Sequence, residues 1–373
     1  MKRWAILLTL VLLAVLFGVF SLRPYRYPPA EELRPKARYL QQQLRAGPDE
    51  ASDLAVLARQ NPEWGLFTLS YAAFAFTNMA QLDSTFRPEA AGAVQLAIQR
   101  ARQDRIRQAF EYNSTPTSAG PITSVLYLGH LNLMLGCHRL LDPASPYRAQ
   151  HDSLSGSLQA RLAAAPSHCL ESYPGGVWVP DNTVALASLQ LHSNLTGSPY
   201  GTFCRQWAAY ARQHLCDSAT GLLLSKPATA SQAAEEPRGS HLGWSISFLY
   251  RFAPGLAAEQ YRLYQQHFST NLGLWRLYHE RAGRYDTSLG DIDSGPLVLG
   301  YSIPATAFAF GNAVALRDAH NAQRLHRVIG LGSREIATPA GMHYRVRFVD
   351  LPVSPMAEAL LLHAETMTPW RVR

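Results

Sequence analysis

The sequence is short of lysine, of cysteine and of strand signal, and each shortage excludes something. Lys2, Lys36 and Lys226 are its only lysines, so the net charge of +7 is carried almost wholly by arginine. The arginines are scattered, and the densest stretch, Arg100–Arg107, includes Asp104 and reads as a solvated helix face. Nucleic-acid binders gather basic charge on one element and interleave stacking aromatics. No nucleic-acid partner is expected. The 4 cysteines form no CxxC and no Cys/His spacing of the zinc type. Neither a metal nor a cofactor is therefore expected. There is no GxGxxG after a strand, no GxxxxGK[ST], no HExxH and no GxSxG. Gly330-Leu-Gly-Ser has no strand leading into it, and Asp291-Ile-Asp293-Ser lacks the later ligands of an EF-hand. With 16% charged, 10% aromatic and 47% hydrophobic residues, a disordered chain is excluded too. No repeat of solenoid or propeller length is present.

One long apolar run stands out. Trp4 to Leu22 carries no charge and is flanked by Lys2, Arg3, Arg23 and Arg26. A helix of about 19 residues nearly crosses a hydrocarbon core of about 30 Å. A small-residue cleavage site is missing around Phe17–Leu22, which favours an uncleaved anchor over a removed signal. Residues 1–22 are therefore expected to form one transmembrane helix and 23–33, with Pro24, Pro28 and Pro29, a linker. Residues 34–373 then form a single domain, held extracytoplasmically (periplasmically) on this single-pass anchor.

Beyond the linker the dominant period is helical: Leu66, Leu69, Ala73, Phe76 and Ala80 fall at three- and four-residue steps, as do Leu126, His130, Leu133 and Cys137. Helices are expected near 34–45, 50–60, 63–81, 88–111, 120–142, 146–165, 182–196, 200–216, 239–251, 255–268, 294–316, 318–329 and 354–366. Strand signal is confined to His343–Phe348 and a small hairpin arm at Leu222–Leu224. Helices at 120–142 and 294–316 are apolar nearly all round, whereas 88–111, 255–268 and 318–329 are amphipathic. Two concentric layers follow, an all-α (α/α)6 toroid with minor β-hairpin arms. Cys204 and Cys216 on one continuous helix would stand about 18 Å apart, beyond disulfide reach. Whether Cys137 and Cys169 pair is left open.

In such a toroid, polar residues at the ends of inner helices face one mouth. Glu171 to Asn182 is a rigid loop running into a helix, presenting Tyr173, Trp178 and Asp181; Asp181 either caps that helix or serves as an acid. Asp291 and Asp293 lead into the apolar helix expected at 294–316, where like charges beside an apolar wall would raise at least one pKa. The competing reading is again a cap. His130, mid-helix with Tyr127 a turn away, is either a satisfied core residue or faces the cavity. His241 and Trp244 make a further mouth element, and Tyr71 is either core or cavity-facing.

Gly129-His130-Leu-Asn-Leu-Met-Leu-Gly136, Tyr173-Pro-Gly-Gly-Val-Trp-Val-Pro-Asp181-Asn182 and Asp291-Ile-Asp293-Ser-Gly-Pro together resemble the linalool dehydratase/isomerase-like group of (α/α)6 toroids. That group shares its architecture with six-hairpin glycosidases and glucuronyl epimerases. In the family, cysteines of the loop matching Ser172–Asn182 act in acid/base chemistry with a His and a Tyr. Here Ser172 and Asp181 stand at the cysteine positions, which moves the chemistry toward carboxyl groups. The resemblance implies a cofactor-free acid/base enzyme cleaving, hydrating or isomerising at a C–O bond of a hydroxyl-bearing substrate. Asp181, Asp291 or Asp293, His130 and Tyr71 would be catalytic; Tyr173, Trp178, Asn182, Glu171, His241 and Trp244 would bind substrate. Alternatives are a glycoside hydrolase or epimerase acting on a glycan, and a non-catalytic membrane-anchored protein that binds glycan or lipid.

Overall fold

A computed structural model describes residues 23–46, 52–111, 122–230, 232–283 and 289–372. Twelve principal helices alternate between two layers. The inner ones are α2 (Pro62–Leu82), α4 (Val125–Leu141), α6 (Val179–Thr196), α8 (Gly239–Phe252), α10 (Ile303–Ala315) and α12 (Pro355–Thr366). The outer ones are α1 (Ala30–Ala46), α3 (Arg87–Ala101), α5 (Arg148–Ala164), α7 (Tyr200–His214), α9 (Pro254–Phe268) and α11 (Ala319–Gly332). Short helical segments at Asp53–Gln60 and Asp104–Arg107 lie beside them.

Sequence decides the layer. In α2 every residue from Thr68 to Ala80 is buried, because it is packed on all sides. In α1 only one stripe is covered, with Leu33, Ala37, Leu40 and Leu44 at three- and four-residue steps. Each inner helix packs on the next, α2 to α4 and onward to α12, and α12 returns to α2. The ring is closed, and its layers are those of the expected toroid. Polar ties inside it are satisfied: Asn132 Nδ2 donates to Ser155 Oγ at 3.0 Å and Ser188 Oγ at 2.8 Å, and Ser247 Oγ to Asn312 Oδ1 at 2.8 Å. The outer layer closes through α1, whose buried Lys36 donates to Glu365 on α12 at 2.7 Å. Because each inner helix follows an outer one, loops collect at the N-terminal ends of the inner helices. That end is the mouth.

Several expectations need correction. The helix foreseen over 294–316 begins only at Ile303, and the residues before it form a three-stranded antiparallel sheet of β3 (Gly290–Asp291), β4 (Gly295–Val298) and β5 (Tyr301–Ser302). Gly295, Leu299 and Gly300 have φ of 60°, 51° and 78°, left-handed values that interrupt a helix. Ser302 then caps α10 by accepting from Ala305 N. A two-stranded sheet, β1 (Ser269–Asn271) with β2 (Arg276–Tyr278), was not foreseen. The expected strand near 343–348 is β7 (Gly341–Val346), paired antiparallel with β6 (Ser333–Thr338). The helix foreseen over 88–111 ends at Ala101 and resumes briefly at Asp104, α7 stops at His214, and α1 begins at Ala30 inside the segment read as linker. Cys216 therefore lies beyond its helix, bridging Leu223 in the expected arm, and all four cysteines are free. The anchor expected at 1–22 lies outside the described residues. Among those described, no helix is long and apolar enough to cross a membrane.

Candidate active site

The floor of the mouth is aromatic. Phe67 and Tyr71 of α2 meet Trp244 of α8 with ring centroids 4.8 and 5.3 Å apart, and Trp244 also touches Phe308 and His130. His130 lies 2.8 Å from Ser70 Oγ through Nδ1, and burial pushes its pKa down to about 3, so its ring is neutral. Tyr71 Oη, His130 Nε2 and Trp244 Nε1 are all buried with no partner among the described residues, as is Nδ1 of His241. Four uncommitted polar atoms on neighbouring side chains are unusual where buried groups are nearly always paired.

Carboxylates stand above this floor. Asp181 occupies the first turn of α6 and is buried. It does not cap the helix; its Oδ2 accepts from Ser172 Oγ at 2.5 Å. Burial pushes its pKa up to about 6, against the opposing pull of the Ser172 hydroxyl and of His241. Glu63, in the first turn of α2, is pushed up to about 8 by burial and by the charges of Asp181 and Asp293. These three acids are therefore close enough to sense one another. The expectation had missed Glu63, which follows Pro62 at a helix start and reads there as an ordinary first-turn acid.

Asp291 and Asp293 behave opposite to expectation. They sit on the β3–β4 turn rather than against an apolar helix, and both are substantially exposed. Burial pulls Asp291 upward, but Arg238 Nη2 at 2.7 Å and the Ser294 N–H at 2.9 Å hold it below the usual carboxylate range. Asp293 is held down chiefly by His241, whose Nε2 lies 3.5 Å from Oδ2. Arg238 is the anchor of this side. Its buried guanidinium also meets the buried Glu280 at 2.8 Å, and Glu280 accepts from Ser240 N at 3.1 Å at the start of α8. Glycine is required at 239, where a Cβ would lie 2.1 Å from His279 O.

The loop before α6 is fixed by its own hydrogen bonds. Asn182 accepts from Leu170 N at 2.7 Å and donates to the carbonyls of Leu170 and Trp178, so it holds the loop in place rather than facing the mouth. Trp178 packs edge-on to Tyr173, and Lys226 Nζ stands 4.5 Å over its ring. A Cβ at Gly176 would lie 2.2 Å from that indole. Glu171 is exposed and takes part through its backbone, its carbonyl accepting from Val125 N. The structure thus brings together Asp181, Asp293, His241, Tyr71, Trp244 and His130. Asp291 instead pairs with Arg238. Glu63, Ser172, Arg238 and Phe67 join the set.

No protein-family model matches the chain. The solved structures it resembles are (α/α) toroids of the six-hairpin glycosidase kind. A possible GH105 member from Salmonella enterica serovar Paratyphi A aligns with a TM-score of 0.57 at 15% identity, covering 92% of this chain and 95% of that one. A family 88 glycosyl hydrolase from Bacteroides vulgatus gives 0.54 at 11%, covering 91% and 99%. The GH76A α-1,6-mannanase from Salegentibacter gives 0.53 at 10%, covering 88% and 98%. At these identities the likeness establishes the fold.

Proposed function

We propose that this chain is a cofactor-free acid/base enzyme acting on a glycan. The observation that carries this is the convergence of buried Asp181 with Glu63, Asp293 and His241 above a floor holding unpaired polar atoms. Sugar hydroxyls are matched to such atoms, and aromatic rings flank them. The likeness to toroids that include an α-1,6-mannanase solved with its mannotriose, and a polysaccharide lyase, supports a glycan over a terpenoid alcohol. The carboxyl groups divide into two kinds, which sorts acid from base. Asp181 keeps its proton into mildly acidic solution and serves as the acid, giving that proton to the leaving glycosidic oxygen as the C–O bond breaks. Asp293 stays ionised and serves as the base, taking a proton from the water that attacks the anomeric carbon. His241 orients Asp293, and Ser172 orients Asp181. The body is held outside the cytoplasm on the anchor at Trp4–Leu22; shielding of the body from protease in spheroplasts would refute that placement.

The test is turnover of neutral and acidic oligosaccharides, with hydrophobic alcohols as the contrasting panel. Release of reducing sugar is expected, lowered in Asp181→Asn by about 10²–10⁴ with oligosaccharide binding retained. Undiminished turnover in Asp181→Asn overturns the assignment, and turnover of the alcohols alone returns the chemistry to the dehydratase-like class.

A further inference from the structure

The end of the ring opposite the mouth holds a second cluster that the proposed chemistry does not use. His151 and Asp152 lie near the start of α5, and His192 lies near the end of α6, about 16 Å along that helix from Asp181. One ligand atom from each of the three residues lies within 4.8 Å of the others. His151 is fully buried, and neither of its ring nitrogens has a partner among the described residues. Leaving a buried imidazole unpaired is costly, and the ring is packed tightly on its other side, where a Cβ at Gly136 would stand 3.0 Å from Nε2.

His192 supplies the second imidazole of the cluster. Its Nδ1 faces Ser198 Oγ at 3.0 Å and Thr196 Oγ1 at 3.3 Å, and the Thr196 hydroxyl already donates to His192 O at 2.8 Å. Toward Nδ1, Thr196 therefore offers only a lone pair, whereas the Ser198 hydroxyl can donate to it. Nε2 faces Asp152 Oδ1 across 2.8 Å, a hydrogen bond whose Nε2 proton a bound divalent cation would displace. Arg139 Nη1, 2.5 Å from the same Oδ1, fixes that carboxylate from outside.

We propose that His151, His192 and Asp152 form a divalent-metal site, best matched to Zn²⁺, which clamps α5 to α6 at the end of the ring away from the mouth. Two imidazoles and one carboxylate suit zinc, and the half-exposed Asp152 leaves a fourth position open to water. Zinc bonds of about 2.0–2.2 Å set ligand atoms roughly 3.5 Å apart, so the His192–Asp152 pair at 2.8 Å opens while the wider separation closes, each by about an ångström. Ser198 and Arg139 are its outer partners. No cysteine takes part, which is why Cys spacing gave no sign of it.

The experiment is titration of the chelator-treated full chain with Zn²⁺ by calorimetry, with Co²⁺ spectra as a second reading. One saturating equivalent is expected, with visible d–d bands of a tetrahedral ion and a rise in melting temperature. His192→Gln and His151→Asn should each weaken binding by more than about 100-fold, whereas Asp181→Asn should bind as the wild type does. Asp152→Asn, altered at the half-exposed ligand, gives the same reading if the buried variants fail to fold. Absence of saturable binding, or binding unchanged in these three ligand variants, overturns the proposal.

Discussion

Replacing Asp181 by Asn should make the protein more stable as well as less active. The carboxyl is buried and keeps its proton up to about pH 6, against about 3.9 for an unfolded aspartate. A carboxyl whose folded pKa is raised binds its proton more tightly in the native state, so native stability falls as pH rises from about 4 through about 6. A displacement of about two pH units is worth about 3 kcal/mol once both states are ionised. Asn carries no charge, keeps an oxygen for Ser172, and escapes that penalty. For a body of about 350 residues the entropy of unfolding is about 0.7 kcal/mol/K, so the variant should melt about 4 °C higher at pH 8. By pH 4 the gap should close to about 0.5 kcal/mol. Differential scanning calorimetry of both proteins across that range measures it. A variant no more stable at pH 8, or one more stable by the same amount at every pH, would refute the reasoning that burial sets the protonation of Asp181.

Two further outcomes follow from the same geometry. Ser172→Ala removes a hydrogen bond that favours the ionised form of Asp181, so the pKa read from a pH–rate profile should move above about 6; an unmoved or lowered value would count against the contact. Arg238→Gln leaves Glu280 buried without its cation and should cost about 3–5 kcal/mol in denaturant unfolding, with the β3–β4 turn losing its tie to α8.

Much of the ring was readable because its helices carry the two burial patterns openly. The stretch expected as a helix at 120–142 is apolar nearly all round and forms inner α4, the stretch at 318–329 is amphipathic and forms outer α11, and the layer of each follows from that. The stretch before α10 was misread because Leu297, Val298 and Leu299 continue the apolar character of Ala305–Ala309, while Gly295 and Gly300 only reveal their role through backbone sign. That error carried the two aspartates into the wrong environment. Their spacing was visible, but Arg238 and His241, more than 50 positions before the aspartates they face, hold Asp291 and Asp293 in their ionised form. Asp181 was singled out from its loop and Tyr71, His130 and Trp244 from their helices, each with a structural role as the alternative, and the structure places them near one another. Glu63 was not, since nothing local separates an acid that greets a helix dipole from one facing two other carboxylates across a ring.

Closure of the ring also constrains how it is made. The seam between α12 and α1–α2 is held by pairs such as Lys36 with Glu365 and Asn78 with Thr366, 329 and 288 positions apart in the chain. While a nascent chain lacks α12, the flanks of α2 and α10 that it will cover stay open, and the apolar face of α2 has nothing to shield it. Folding should therefore proceed hairpin by hairpin up to an open crescent and then pause, with the final helix converting crescent to ring in one late, cooperative step. Synthesis of this protein should thus include an interval of aggregation risk that ends only when α12 docks.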